Sequence, residues 1–137
     1  MRVLVVEDRD GTAFMLTEQL VAAGHEVIGP ARTSDQAIRM ADAHRPAFAF
    51  VDLDIEEQTI ALDVTEYLTA ALDVNVIICT GRPGLARQTQ TGAVGLISKP
   101  YAPGEAVASL SIVEALVTGN CSLAAFPPSF ELLISPQ

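Results

Sequence analysis

The chain of 137 residues contains no tryptophan, and aromatic residues make up only 5% of it. Half of the residues are hydrophobic, so a sizeable core can still form, and its side chains must be mainly aliphatic. The length fits a single domain. We therefore expect one compact unit built from small and branched aliphatic side chains.

Basic residues are also scarce. Lysine and arginine together number 8, against 17 aspartates and glutamates, which gives a formal net charge of −9. A nucleic-acid interface needs clustered basic side chains to neutralise phosphates, and the sequence offers no such cluster. The same balance argues against binding to anionic membranes. We expect neither nucleic acid nor a membrane as a partner.

Cysteine is limited to Cys79 and Cys121. Neither forms a Cys-x-x-Cys motif or a cluster with histidine, which argues against a zinc site or a redox centre. Cys79 lies within an apolar run and is expected to be a small core residue. No signal peptide or membrane-spanning stretch is visible. We therefore expect a cytoplasmic protein with reduced thiols.

Short apolar runs alternate with helical patterns along the chain. The runs predict strands at residues 2–7, 25–29, 46–52, 74–79 and 94–98. Strict alternation of this kind predicts an α/β fold with a five-stranded parallel sheet and helices on both faces. The expected strand order is 2-1-3-4-5, the flavodoxin-like, doubly wound arrangement.

Helical periodicity between the strands predicts helices that each bury one apolar face. The first begins near residue 11, Thr33 and Gln36 fit a capping box for the second, and the fourth, around 84–91, is short and polar. The predicted buried faces are those of Ala13, Leu16, Leu20 and Ala23; Ala37, Met40 and Ala41; Ala61, Val64, Leu68 and Ala71; and Ala106, Leu110, Val113 and Val117.

Acidic residues follow two of the predicted strands. Glu7 and Asp8 come after the first strand, and Asp52 ends the third. The predicted order makes these strands neighbours, so the three carboxylates meet at the carboxyl edge of the sheet. They would repel one another without a cation, and hard oxygen ligands suit Mg²⁺. Glu7 or Asp8 could instead cap the first helix, and Asp52 could be a ligand, a nucleophile or a cap.

Two more polar residues end the remaining strands. Thr80 closes the fourth strand, and its hydroxyl could donate to an anionic oxygen, while Gly81 after it would let the backbone approach closely. Thr80 could instead simply begin a turn. Lys99 follows the fifth strand and is the only lysine in the chain. Its ammonium could bind a phosphoryl oxygen, although a solvated surface lysine is the simpler interpretation.

In these features the sequence resembles the receiver domain of two-component response regulators. The resemblance covers residues 1–118 and is carried by Val3-Leu4-Val5-Val6-Glu7-Asp8, Val51-Asp52, Thr80-Gly81 and Lys99-Pro100. It implies that Asp52 is the phosphoacceptor and that Thr80 and Lys99 hold the phosphoryl oxygens. It also implies that Asp8, Asp52 and the backbone carbonyl of Asp54 bind Mg²⁺, with Glu7 assisting through water.

The sequence departs from the family pattern at two places. Family members commonly have an aromatic residue three positions before the lysine, where this chain has Leu96. The common Met-Pro-Gly segment after the phosphoacceptor is replaced by Asp54-Ile55-Glu56-Glu57-Gln58. The segment Ile78-Cys79-Thr80-Gly81-Arg82-Pro83 resembles the Thr-Gly motif of single-domain receivers of alphaproteobacteria, which also often lack the aromatic. The acids of the second departure could slow phosphorylation through repulsion.

The resemblance implies a stand-alone signalling protein rather than an enzyme. It would accept a phosphoryl group from a histidine kinase or a phosphotransfer protein and signal through an unidentified protein partner. Two alternatives are a pseudo-receiver that only binds proteins and a haloacid-dehalogenase-like phosphatase with Asp52-Leu53-Asp54 as its acidic motif. Residues 119–137 lie outside the repeat, as a tail over the domain, a disordered end or a homodimer contact.

Overall fold

The computed structural model describes residues 1–55, 58–88, 92–119 and 126–133. One sheet contains the strands β1 (Arg2–Val6), β2 (Glu26–Ala31), β3 (Phe48–Asp52), β4 (Asn75–Thr80), β5 (Gly95–Ser98) and β6 (Phe130–Leu132). They are arranged in the order β2-β1-β3-β4-β5-β6, and the first five are parallel. The predicted parallel sheet and its order 2-1-3-4-5 are confirmed.

The apolar runs form strands because helices cover both faces of the sheet. Every residue of β3 is buried, as are all residues of β4 except the first. Such strands have no solvent-facing side chains, so their sequences show no alternation of apolar and polar residues. The strand boundaries differ from the predicted ones by at most two residues, which is the usual uncertainty at element ends.

The helices are α1 (Asp10–Ala22), α2 (Ser34–His44), α3 (Gln58–Glu66), α4 (Pro83–Gln88) and α5 (Pro103–Val117), and α3 continues into a π-helical turn at Tyr67–Ala71. Residues 89–91, predicted to end the fourth helix, lie outside the described residues. Among the described residues, no helix combines the length and the apolar character needed to cross a membrane.

A modified capping box begins α2. The Thr33 hydroxyl accepts a hydrogen bond from the Gln36 N–H at 3.2 Å, as predicted. The Gln36 side chain accepts from the Arg32 N–H at 2.7 Å, one residue earlier than in the standard motif. Both contacts satisfy backbone donors that would otherwise lack partners at the start of the helix.

The core consists of two clusters, one on each face of the sheet. Successive side chains of a strand point to opposite faces, so Leu4 and Val6 belong to one cluster and Val3 and Val5 to the other. The first cluster packs against α2, α3 and α4, and the second against α1 and α5. The helix residues buried in them include Ala37, Ala41, Ala61, Val64 and Ala86 in the first, and Leu16, Leu20, Ala106, Leu110 and Val113 in the second.

The sheet has one strand more than predicted. β6 pairs antiparallel with β5, with Phe130 opposite Ile97 and Leu132 opposite Gly95. The sequence places this segment outside the β-α repeat, and its three residues are too few to show a strand pattern. Without it, β5 would be an edge with unpaired backbone groups, which β6 covers. The division of the chain after residue 118 stays a prediction.

Side chains fasten the tail to the domain as well. The ideal Cβ position at Gly95 lies 2.6 Å from the Phe130 ring, so only glycine leaves room for that ring. Arg87 in α4 pairs with Glu131 at 2.8 Å, and Ser129 donates a hydrogen bond to the Glu105 carboxylate. The described part of the tail therefore contacts β5, α4 and α5.

Candidate functional site

The carboxyl ends of β1, β3, β4 and β5 meet at one edge of the sheet, and the residues that the sequence singles out lie there. Glu7 and Asp8 follow β1, Asp52 ends β3, Thr80 ends β4, and Lys99 follows β5. Parallel strands bring these ends to a common edge because each returns through a helix. The structure thus brings together the residues that the sequence places far apart.

Three carboxylates form a cluster at this edge. Glu7, Asp8 and Asp52 each offer an oxygen, and these oxygens all lie within 4.8 Å of one another. Glu7 and Asp52 are each 4% exposed, whereas Asp8 is exposed. Buried carboxylates facing one another repel, and a hard divalent cation would relieve that repulsion. The set of oxygen ligands fits Mg²⁺.

Neither Glu7 nor Asp8 caps α1 with its side chain, which removes the simpler interpretation of the acid pair. The residue at the N-cap position is Arg9, and it makes no side-chain capping hydrogen bond. The Glu7 carboxylate instead accepts from the N–H groups of Asp8 and Arg9, at 3.0 and 3.3 Å. These contacts turn Glu7 inward, toward Asp52.

Glu7 has the most perturbed carboxyl of the cluster. Burial, together with a hydrogen bond to Asp52 and the negative charge of Asp52, raises the pKa of Glu7 from 4.5 to about 8. The Arg9 N–H and the positive charge of Lys99 oppose this shift without cancelling it. At neutral pH, and without a bound cation, Glu7 is mainly protonated and hydrogen-bonds to Asp52.

Lys99 bridges two carboxylates. Its ammonium lies 2.7 Å from Asp52 Oδ1 and 3.2 Å from Asp54 Oδ2, and its side chain is only 20% exposed. Burial alone would lower the pKa of Lys99, but hydrogen bonds and charge attraction to Asp52 and Asp54 outweigh it and raise the pKa. The side chain is therefore a fixed positive charge beside Asp52 and not a solvated surface lysine.

The Asp54 side chain makes contacts in the site that the receiver resemblance did not predict. The resemblance assigns a role only to its backbone carbonyl, but its carboxylate accepts from the Thr80 hydroxyl at 3.1 Å and from the Gly81 N–H at 2.9 Å. The Thr80 hydroxyl also accepts from the Arg82 N–H, at 3.0 Å. The position of Asp54 two residues after Asp52 was the available signal, since it falls in the loop facing Thr80.

Partial burial alone would raise the pKa of Asp54, but its partners reverse the direction. Hydrogen bonds from Gly81, Lys99 and Thr80, with the positive charge of Lys99, hold the pKa of this carboxyl below its usual value. Glu56 and Glu57, the other acids of this loop, lie outside the described residues.

Leu96, the position without the usual aromatic residue, is fully buried in the core between the sheet and α2, α3 and α4.

Tyr101 follows Lys99 by two residues and was not singled out by the sequence. It lines a pocket of about 400 Å³ with Glu7, Arg9, Thr12, Lys99 and Pro100. Burial and contact with Cys79 raise the pKa of its phenol, which stays neutral.

Comparison with known proteins gives a consistent set of relatives. The sequence profile of the family described as response regulator receiver domain matches residues 3–111. The phyllosphere-induced regulator PhyR of Methylorubrum extorquens is 31% identical over 112 residues, covering 80% of this chain and 42% of PhyR. The chemotaxis protein CheY of Thermotoga maritima is 26% identical over 115 residues, covering 82% of this chain and 96% of CheY.

Comparison with solved structures also finds a receiver domain. The signal receiver domain of a modulated diguanylate cyclase from Desulfovibrio desulfuricans matches with a TM-score of 0.70 and 26% identity, covering 81% of this chain and 90% of that one. The chain spans about half the length of curated relatives such as PhyR and the transcriptional regulatory protein PdtaR of Mycobacterium tuberculosis.

Proposed function

Because this chain belongs to the response regulator receiver domain family, we propose that it is a phosphoacceptor whose Asp52 takes a phosphoryl group from a histidine kinase or a phosphotransfer protein. Receiver domains are signalling modules of two-component systems. The observation that carries the proposal is the position of Asp52, buried at the end of β3 between the acid pair and the Lys99 ammonium.

Asp52 would be the nucleophile. Lys99 Nζ and the Asp54 N–H both donate to its Oδ1, at 2.7 and 2.8 Å, which fixes the orientation of the carboxylate. Its Oδ2 would form the new bond to phosphorus while the bond between phosphorus and the leaving atom of the phosphoryl source breaks. The electron pair of the broken bond stays with the leaving group, and Asp52 becomes an acyl phosphate.

Hydrogen-bond donors at the ends of β4 and β5 would then hold the transferred group. The Thr80 hydroxyl, the Gly81 N–H and the Lys99 ammonium already converge on one carboxylate, that of Asp54. Donors fixed in place by a sheet edge stabilise the negative charge spread over phosphoryl oxygens without having to reorganise. These groups would bind the phosphoryl oxygens after Asp54 has left.

Asp8, Asp52 and the backbone carbonyl of Asp54 would hold Mg²⁺, and Glu7 would assist through water. The cation would neutralise the negative charge that accumulates as two anionic groups approach each other. The cluster of three carboxylate oxygens supports this assignment. Binding a cation there would also favour the ionised form of Glu7 over the protonated form.

The protein that supplies the phosphoryl group would contact the surface next to the site. Helix α1 begins at Asp10, two residues after Asp8, and exposes apolar side chains to solvent. These include Phe14, which is 63% exposed, with Met15 and Val21. Exposed apolar side chains grouped on one helix are typical of a protein contact.

We also infer a cytoplasmic location, which agrees with the free thiol of the buried Cys79.

A test is the intact mass of the protein after incubation with acetyl phosphate, with and without Mg²⁺. We expect one Mg²⁺-dependent phosphoryl adduct in the wild type and none in Asp52→Asn, because the amide is a poor nucleophile. Asp73→Asn is a matched control, since Asp73 is exposed and lies two residues before β4 begins, at the edge of the sheet opposite the site. It should be labelled like the wild type.

An adduct that persists in Asp52→Asn would refute Asp52 as the acceptor. If no variant is labelled, the pseudo-receiver becomes the better description, and one observation already favours it as the second candidate. The Asp54 carboxylate holds the groups that would bind phosphoryl oxygens. The family match disfavours the haloacid-dehalogenase-like phosphatase.

A further inference from the structure

We propose that the Asp54 carboxylate is an internal ligand of the phosphoryl-binding groups, so that Asp54 must withdraw before a phosphoryl group can bind there. This inference rests on the proposed function and concerns the regulation of the same site. It assigns the Asp54 side chain the role of an intramolecular competitor for Thr80, Gly81 and Lys99.

The contacts of Asp54 match those expected of a bound oxyanion. Its Oδ1 accepts from the Thr80 hydroxyl at 3.1 Å, and its Oδ2 accepts from the Gly81 N–H at 2.9 Å. The Lys99 ammonium lies 3.2 Å from Oδ2. A hydroxyl, a backbone amide and an ammonium from two neighbouring strand ends therefore surround one anionic group. A Cβ at position 81 would make only an ordinary van der Waals contact with Oδ2, at 3.6 Å, so the approach of the backbone N–H does not depend on glycine.

The Thr80 hydroxyl and the Gly81 N–H cannot donate fully to Asp54 and to a phosphoryl group at the same time. The Thr80 hydroxyl and the Gly81 N–H each carry one hydrogen, and both are directed at Asp54. Lys99 carries three hydrogens and contacts two carboxylates, so the competition with Asp54 concerns mainly Thr80 and Gly81. A phosphoryl group beside the Asp54 carboxylate would also add like-charge repulsion. Displacement, rather than sharing, is therefore required.

Asp54 can leave without moving the backbone. Leu53 and Ile55, on either side of it, are buried at 0% and 1% exposure, so they anchor the chain there. The Asp54 side chain is 29% exposed, so rotation about its Cα–Cβ bond would carry the carboxylate into water. The release is local, and it frees all three donors in one step.

The test compares the rates of phosphoryl labelling by acetyl phosphate with Mg²⁺ in Asp54→Ala, Asp54→Asn and the wild type. Alanine removes the competitor, and we expect labelling about tenfold faster, since hydrogen bonds to a charged group no longer have to be broken. Asparagine keeps an acceptor oxygen but not the charge, so its rate should be intermediate. Asp73→Asn removes the same charge at the far end of β4 and should label at the wild-type rate.

Two further readouts separate occupancy of the site from general repulsion. The gain in Asp54→Ala should persist at high salt, where repulsion between exposed charges is screened. Without any phosphoryl source, the NMR amide signal of Gly81 should shift in Asp54→Ala and Asp54→Asn but not in Asp73→Asn.

Equal labelling rates in the wild type and Asp54→Ala would overturn the competitor role and leave the proposed function intact. An unchanged Gly81 signal in Asp54→Ala would overturn the internal contact itself. Absence of labelling in every variant would instead refute the proposed function and, with it, the inference about Asp54.

Discussion

Glu7 shows how strongly one carboxyl can depend on its surroundings. Its side chain is 4% exposed and faces Asp52, and burial and that neighbour raise its pKa from 4.5 to about 8. An acid with a raised pKa binds its proton more tightly in the folded protein than in the unfolded chain. Its stabilising contribution is therefore fully present below about pH 4.5 and is lost as the pH rises through about 8.

We predict that the metal-free protein loses stability between pH 5 and pH 8 and that Glu7→Gln loses much less. Glutamine stays neutral over this range and can still accept from the Asp8 and Arg9 N–H groups. The difference between the two proteins should change by on the order of 3 kcal/mol across the range. Urea unfolding of both proteins at a series of pH values, in the presence of a chelator, measures this difference in unfolding free energy.

Other groups also titrate in this range, so the informative quantity is the difference between the two unfolding curves and not either curve alone. Parallel pH dependences in wild type and Glu7→Gln would contradict the shifted pKa. Added Mg²⁺ should stabilise the wild type more at pH 8 than at pH 6, because the cation favours ionised Glu7.

At the scale of single residues, the sequence predicts which residues meet but not how their side chains turn. Asp52, Thr80 and Lys99 each end or follow a strand, and strand ends meet at one edge, so their proximity could be predicted. The direction of the Asp54 carboxylate depends on rotation about one bond and on donors 26 and 27 residues away. No spacing in the sequence encodes that direction.

At the scale of elements, β6 is the strand that the sequence did not predict. β1, β3 and β4 have unbroken apolar runs because both their faces are buried, and that pattern can be recognised in the sequence without a structure. β6 is three residues long and follows 126–129, which carry no regular pattern. Its pairing with β5 depends on contacts made after the chain has passed through α5, and such contacts leave no local signal.

Gly95 is the position at which β5 and the tail fit together most closely. We predict that Gly95→Ala lowers the free energy of unfolding by about 1–3 kcal/mol, because its methyl group would overlap the Phe130 ring. In a Phe130→Ala background the same change should cost less, since the ring is gone. Urea unfolding of the four proteins completes this double-mutant cycle.

Gly104→Ala is a matched control for that cycle. Gly104 lies in the first turn of α5, and an added Cβ would meet nothing within 4 Å. Alanine there should be neutral or stabilise the protein by up to about 1 kcal/mol, as expected for a helical position. A Gly95→Ala cost that is the same with and without Phe130 would show that the ring is not its cause.

At the scale of the whole molecule, the tail closes an edge that would otherwise be open. The Ser98 N–H donates to the Ser129 carbonyl and the Leu133 N–H to the Val94 carbonyl, at 2.9 and 3.0 Å. Ser98 directly precedes Lys99, so the same strand that carries the tail also positions the lysine of the site. Closure of the edge and placement of Lys99 are therefore linked through β5.

We predict that deleting residues 120–137 destabilises the domain by about 2–4 kcal/mol, since Phe130 and its neighbours leave the core. The uncovered β5 edge should also promote self-association. Thermal unfolding measures the loss of stability, and sedimentation velocity measures the self-association. Phe130→Ala in the full chain should lose stability but keep the association state of the wild type at the same concentrations, because its edge remains covered. An unchanged melting temperature on deletion would show that the tail is dispensable.

Lys99 has a consequence for the covalent chemistry of this protein. It is the only lysine in the 137 residues, so a reagent or enzyme that acylates lysine side chains has one target, and that target neutralises Asp52 and Asp54. Acylation would remove this charge in a single event, and no partly modified, still active population could arise from other lysines. Dyes or sensor surfaces that couple to the lysine amine would therefore modify the site itself.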